Sequence, residues 1–114
     1  MFSSDKQLVA LKCELSPGGF SGERIFEIWL ANGDLYKSIA PRQFCWNEEG
    51  KLVEENEPSD GNKIPGKVAA RLIDHLDENQ VIVEVPDGQI IAVNKEDIIV
   101  PRPTPIKPPT YVSV

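Results

Sequence analysis

Two stretches of the chain alternate apolar and polar residues up to an Asn-Gly or Asp-Gly pair and then alternate away from it: RIFEIWLANGDLYKSI, residues 24–39, and QVIVEVPDGQIIAV, residues 80–93. A period of two sends successive side chains to opposite faces of a strand, and NG or DG between two such runs is the strongest short-range hairpin signal. The pairs predict type I′ turns, in which both central residues take positive φ. Phe26, Ile28 and Leu30 share one face of the first run, with Ile25, Glu27 and Trp29 on the other. Residues 8–15, LVALKCEL, set Val9, Leu11, Cys13 and Leu15 against Ala10, Lys12 and Glu14 and read as a further strand, ended by Ser16-Pro17-Gly18-Gly19. No long amphipathic helix competes with these strands, so the fold class is all-β.

The order strand, hairpin, short closing segment occurs twice. Residues 67–73, KVAARLI, match LVALKCE in pattern, and aligning Gly33 on Gly88 sets Phe26, Ile28, Leu30 and Leu35 over Val81, Val83, Val85 and Ile90 at a uniform offset of 55 residues. The chain therefore divides into a first β unit (1–46), an acidic linker containing glycine and proline (47–66), a second β unit (67–100) and a proline-rich tail (101–114). The linker carries Glu48, Glu49, Glu54, Glu55, Glu57 and Asp60, and reads as a solvated loop or a contact for a basic surface. Two related hairpin units can close one barrel about a pseudo-twofold axis or fold as two small barrels.

Residues 66–100, GKVAARLIDHLDENQVIVEVPDGQIIAVNKEDIIV, resemble an SH3-like small barrel of the broad group that includes Tudor and KOW modules. The resemblance lies in the hairpin spacing and in the NKEDIIV ending, and it implies a one-turn helix before a closing strand. Tudor-type readers hold methyl-lysine in an aromatic cage. Residues 66–100 contain no Phe, Tyr or Trp, so the resemblance implies a fold and no ligand.

Composition narrows the function. With 12 Lys and Arg against 18 Asp and Glu, the net charge of −6 repels polyanions and argues against nucleic acid. No apolar run approaches the length of a membrane span, and the amino end lacks a basic segment followed by an apolar one, so a cytoplasmic location is the default expectation. In that compartment Cys13 and Cys45 are expected as free, buried thiols, with a disulfide as the alternative should their strands be neighbours. Cys13, Cys45 and His75 fall in no zinc-ligand spacing, so no metal or other cofactor is expected. His75 lies between Asp74 and Asp77 and reads as part of a polar hairpin loop; with Glu23 and Asp74 it makes the least implausible polar set for a small enzyme or ligand binder working between the units. The glycines of SPGGFSGE, residues 16–23, match no phosphate-loop spacing, and Phe20 within them is expected either to fold back as a hydrophobic plug or to contact a partner.

The aromatic residues supply the best candidate site. Phe26 and Phe44 fit a core, whereas Trp29 lies on the opposite face. Either the second unit covers Trp29, the favoured expectation, or Trp29, Tyr36 and Trp46, with Phe20, mark an exposed patch that meets a partner. The tail PRPTPIKPPTYVSV favours polyproline II; Arg102, Pro105 and Pro108 match RxxPxxP, and Pro108, Pro109 and Tyr111 match PPxY. The reading is a non-enzymatic binding or accessory module whose partner is another protein or a second copy in a homodimer. The alternatives are a small enzyme or small-ligand binder and an acidic mimic of nucleic acid.

Overall fold

The computed structural model describes residues 7–59 and 61–99. They form one antiparallel sheet of eight strands: β1 (Gln7–Pro17), β2 (Glu23–Trp29), β3 (Leu35–Pro41), β4 (Cys45–Asn47), β5 (Ile64–His75), β6 (Gln80–Glu84), β7 (Ile90–Asn94) and β8 (Ile98–Ile99). The main path is β3-β2-β1-β5-β6-β7, with β4 added to β5 and β8 to β1. Short 3-10 turns, Arg42–Phe44 and Lys95–Asp97, precede β4 and β8.

The centre of the sheet is the ladder between β1 and β5, which runs from Gln7 opposite Leu72 to Leu15 opposite Ile64. The remaining pairings are reciprocal about it. β2 joins one end of β1, with Glu14 opposite Glu27, and β6 joins the corresponding end of β5, with Arg71 opposite Glu84. β4 lies on β5, with Cys45 opposite Val68, while β8 lies on β1, with Leu11 opposite Ile98. Each half's closing strand therefore pairs with the other half's first strand. β5 begins at Ile64, inside the segment that composition assigns to a linker.

Period two sorts the side chains as the alternation requires. Val9, Leu11, Leu15, Phe26, Ile28, Val68, Val81, Val83 and Val93 fill one core, and a register slip of one residue would turn each of these rows to solvent. Ala10 and Ala69, paired across the central ladder, face the other way. Their small side chains leave room on the outer face for the ring of Trp46, which is fully buried there with Phe44 and Ile99 packed against it. Trp46 therefore belongs to a second small core and is not part of an exposed patch.

The sheet curls into a half-barrel, and its edges β3 and β7 meet through the hairpin tips. The Ala31 N–H donates to the Ala92 carbonyl at 2.9 Å, while the hydroxyls of Tyr36 and Ser38 on β3 both donate to the Asp87 carboxylate, Ser38 at 2.5 Å. The turns differ from the expected type I′. Gly33 and Gly88 have φ of +92° and +90°, but no other residue type has positive φ among the described residues. In the first turn Gly33 N–H donates to Leu30 O and Leu30 N–H to Asp34 O; Gly88, Val85 and Gln89 repeat the arrangement. This is the three-residue hairpin with a glycine bulge. Asn32 and Asp87 stay at negative φ because their side-chain oxygens accept the N–H groups of Asp34 and Gln89, at 2.9 and 2.8 Å.

The acidic segment is packed against the sheet rather than solvated throughout. Val53 and Pro58 are buried, and the guanidinium of Arg24, 3% exposed, reaches into the segment's backbone. Its Nε donates to Glu57 O at 2.8 Å, its Nη2 to Glu54 O and Glu55 O at 3.0 and 2.8 Å, and its Nη1 to Ser21 O and Glu23 O at 2.8 and 2.7 Å. Five N–H groups meet five carbonyls, so every donor of the buried cation is used.

Candidate functional site

The outer face of the β2–β3 hairpin carries three cross-strand pairs: Ile25 with Ile39, Glu27 with Lys37, and Trp29 with Leu35. Trp29 is 61% exposed, and Leu35 and Ile39 are 47% exposed each. Trp29 is thus open to solvent, contrary to the expectation that the second unit covers it: β6 and β7 lie at the opposite end of the sheet path and touch this hairpin through its tip and its inner face. Between the apolar pairs, the Glu27 side chain is only 10% exposed and meets Lys63 at 3.1 Å and Lys37 at 3.7 Å. Lys63 stands just before β5, so this ion cluster spans the sheet surface from β3 to the chain entering β5.

Trp29 and Leu35 form one wall of a groove of about 660 Å³. Its floor is the central ladder, with Lys12, Cys13 and Glu14 from β1 and Pro65, Gly66 and Lys67 from β5. Glu48, Asp97 and Ile99 form the opposite wall. The close approach of β4 to the floor requires glycine at 66, where a Cβ would come within 2.5 Å of the Trp46 carbonyl oxygen and 2.6 Å of Leu15 Cδ1. Lys67 Nζ donates to Glu48 O at 3.0 Å and ties that wall to the floor.

Burial shifts the carboxyl and the thiols at this groove in the same direction, upward. Burial raises the Asp97 carboxyl above its ordinary value, an effect that Lys12 opposes and Glu96 reinforces. Burial also pushes the Cys13 thiol well above its ordinary value, with the nearby Cys45 and Glu14 adding to the shift and Lys67 opposing it. Cys45 lies deeper, its thiol 3.6 Å from Pro41 O, and burial pushes it up to about 12 against the pull of Arg24. Both cysteines are free. A protonated thiol is a poor nucleophile; beside the thiol the groove presents an aromatic ring, aliphatic edges and charged side chains.

The other candidates are dispersed. Tyr36 is half-buried on the inner side of β3, its ring 6.2 Å from that of Phe26 and its hydroxyl on Asp87. Burial, together with the bond to Asp87 and that group's charge, raises the Tyr36 hydroxyl to about 12. Phe20, at 77% exposure, is not folded back as a plug: residues 19–22 of the connection between β1 and β2 are all exposed. Glu23 accepts the Gly19 N–H at 3.2 Å beside β3, whereas Asp74 and His75 lie exposed at the end of β5, so the groove gathers none of the three. Among the described residues no three His, Cys, Asp or Glu side chains cluster as metal ligands, and no helix is long and apolar enough to cross a membrane. Arg102, Pro105, Pro108, Pro109 and Tyr111 lie outside the described residues.

No protein-family model, curated protein or solved structure matches the chain. Two groups that matter were missed by sequence reasoning. Leu35 and Ile39 could have been found by carrying the outward parity of Trp29 and Ile25 across the turn. Arg24 gave no signal, since an arginine beginning a strand is ordinarily exposed.

Proposed function

We propose that the chain is a non-enzymatic protein-docking module that meets a partner protein, or a second copy of itself, through the outer face of the β2–β3 hairpin and the adjoining groove. The observation that carries this reading is Trp29, 61% exposed beside Leu35 on the wall of a preformed groove, in a chain whose other tryptophan is fully buried. Large exposed rings next to apolar neighbours mark interfaces, where tryptophan is among the residues that contribute most. Fixed charges around the ring, such as Glu27 between Lys37 and Lys63, suit a polar rim. The net charge of −6 disfavours nucleic acid as the partner. The free thiols favour a reducing compartment such as the cytoplasm.

The reciprocal pairing of β4 and β8 and the matched hairpin turns support reading the two halves as related SH3-like units produced by duplication, their closing strands exchanged. The groove volume also favours a second reading, a small-ligand binder, because pockets for such ligands fall between about 300 and 1,000 Å³. Sedimentation of the purified protein and capture from a host extract, each with the native chain and Trp29→Ala, test the docking reading. Loss of self-association or of captured proteins on substitution supports it; identical behaviour of a folded variant overturns it.

A further inference from the structure

The groove beside Trp29 has an occupant available in the chain itself. β8 ends at Ile99, and both Ile99 and Asp97 line the groove, so the carboxy-terminal segment is attached at the groove's own wall. That segment, residues 100–114, has five prolines, Arg102 and Lys107, and no acidic residue. Prolines at this density preset φ near the polyproline II value, so ordering the segment on a surface costs little conformational entropy. At about 3.1 Å per residue, 15 such residues reach about 45 Å, more than the 42 Å of the longest molecular extent. The segment can therefore cross the whole groove from its starting point.

The groove's chemistry matches. Proline-rich segments dock on aromatic-lined grooves because proline rings stack on flat aromatic faces, and Trp29 is the one aromatic side chain lining this groove among the described residues. Four carboxylates line it, Glu14, Glu27, Glu48 and Asp97, against two lysines, Lys12 and Lys67, and Lys67 donates to the Glu48 carbonyl. From this placement we infer that residues 101–114 occupy the groove in cis, their proline rings against Trp29 and their basic side chains toward its acidic walls, so that a partner must displace the chain's own tail. The inference rests on the docking reading and names what competes for the same surface.

The test uses the full chain with labelled tryptophan indoles, assigned with a Trp29→Phe variant and observed by NMR. Two sets of tail substitutions, Pro105→Ala with Pro108→Ala and Pro109→Ala, and Arg102→Glu with Lys107→Glu, should each move the Trp29 indole signal and leave that of the buried Trp46 in place. A synthetic peptide of residues 101–114, added in trans, should bind the substituted chains about tenfold more tightly than the native chain, since a tethered competitor acts at millimolar effective concentration. An unmoved Trp29 signal with equal peptide affinity for all three chains overturns the inference. A Trp29 shift that appears only as protein concentration rises assigns the groove to a second copy's tail and overturns the cis arrangement. Capture of partners through Trp29 with an unresponsive tail removes this inference and leaves the docking reading standing.

Discussion

Replacing Arg24 with methionine should cost stability out of proportion to one side chain. Each hydrogen bond from a charged group contributes about 1.5–3 kcal/mol net, so five taken at face value would exceed about 7 kcal/mol, comparable to the whole stability of a small domain. The sum overstates the loss. Glu54 and Glu55 are exposed and Glu57 half-buried, so their carbonyls can return to water once the segment lifts from the sheet. The carbonyls of Ser21 and Glu23 stay beside the strand, and the buried Val53 and Pro58 lose their clamp. The expected cost is about 3–5 kcal/mol, because the carbonyls left without a partner beside the strand cost about 1–3 kcal/mol each and the packing of Val53 and Pro58 is loosened as well. Arg24→Lys should lose roughly half of that, because three donors on one nitrogen cannot span carbonyls on both sides of the guanidinium. Urea unfolding gives the magnitudes. Hydrogen exchange at the Asn47 and Val53 amides, which donate to Lys51 O and Cys45 O, should show local release in both variants. Unfolding free energies within about 1 kcal/mol of the native chain for both substitutions would refute the clamp.

The remaining predictions concern the groove floor, the thiols and the junction of the two hairpins. Gly66→Ala should destabilise by about 2 kcal/mol or more, since the new methyl meets backbone and a packed leucine and overpacking has costs of that order; thermal unfolding indistinguishable from the native chain would contradict it. Cys13 and Cys45, with thiol pKa values raised by burial, should resist iodoacetamide at pH 8 in the native state and react fully in guanidinium, as read by mass spectrometry, and rapid native labelling would sink that reading. Burial alone would raise Asp87, but the Ser38 and Tyr36 hydroxyls and the Gln89 N–H outweigh it and lower its pKa below the ordinary 3.8. Its contribution to stability is therefore complete above that value and lost as pH falls through and below it, while that of Tyr36, raised from 10.0 to about 12, is lost as pH climbs between those values. Asp87→Asn should flatten the acid limb of a stability profile, and an unchanged limb would contradict the arrangement.

The alternation of residues 24–39 and 80–93 carried most of the architecture, because which face a strand residue occupies depends only on its parity. The turn positions were legible too, although their type was not. NG and DG signal a tight reversal, but whether Asn or Asp adopts positive φ depends on whether its side chain finds the amide two residues on, a competition that composition does not reveal. The exchange of β4 and β8 was hidden because strands of three and two residues carry too little pattern to choose a partner. Trp46 was misread for a related reason: a strand of three residues shows no parity that decides burial, and only the Ala10–Ala69 pair makes the hollow that buries it. The acidic segment misled through its side chains, since its backbone carbonyls, which sequence does not display, are what hold Arg24. At the candidate site, the asymmetry of Trp29 was visible in the sequence, while the groove beside it depends on how β1, β5 and β8 come together.

The most direct test of the docking account compares Trp29→Ala with Ile90→Ala. Ile90 is also 61% exposed and stands on β7 opposite Glu84, as Leu35 stands opposite Trp29, but it lies away from the groove. With the self-association constant from sedimentation equilibrium, or the affinity for a captured protein, as the readout, Trp29→Ala should weaken association by about 2 kcal/mol or more, roughly 30-fold. Ile90→Ala should change it by less than about threefold, with both variants unfolding like the native chain. Equal losses for the two variants, or none for Trp29→Ala, would contradict the assignment of this face as the docking surface.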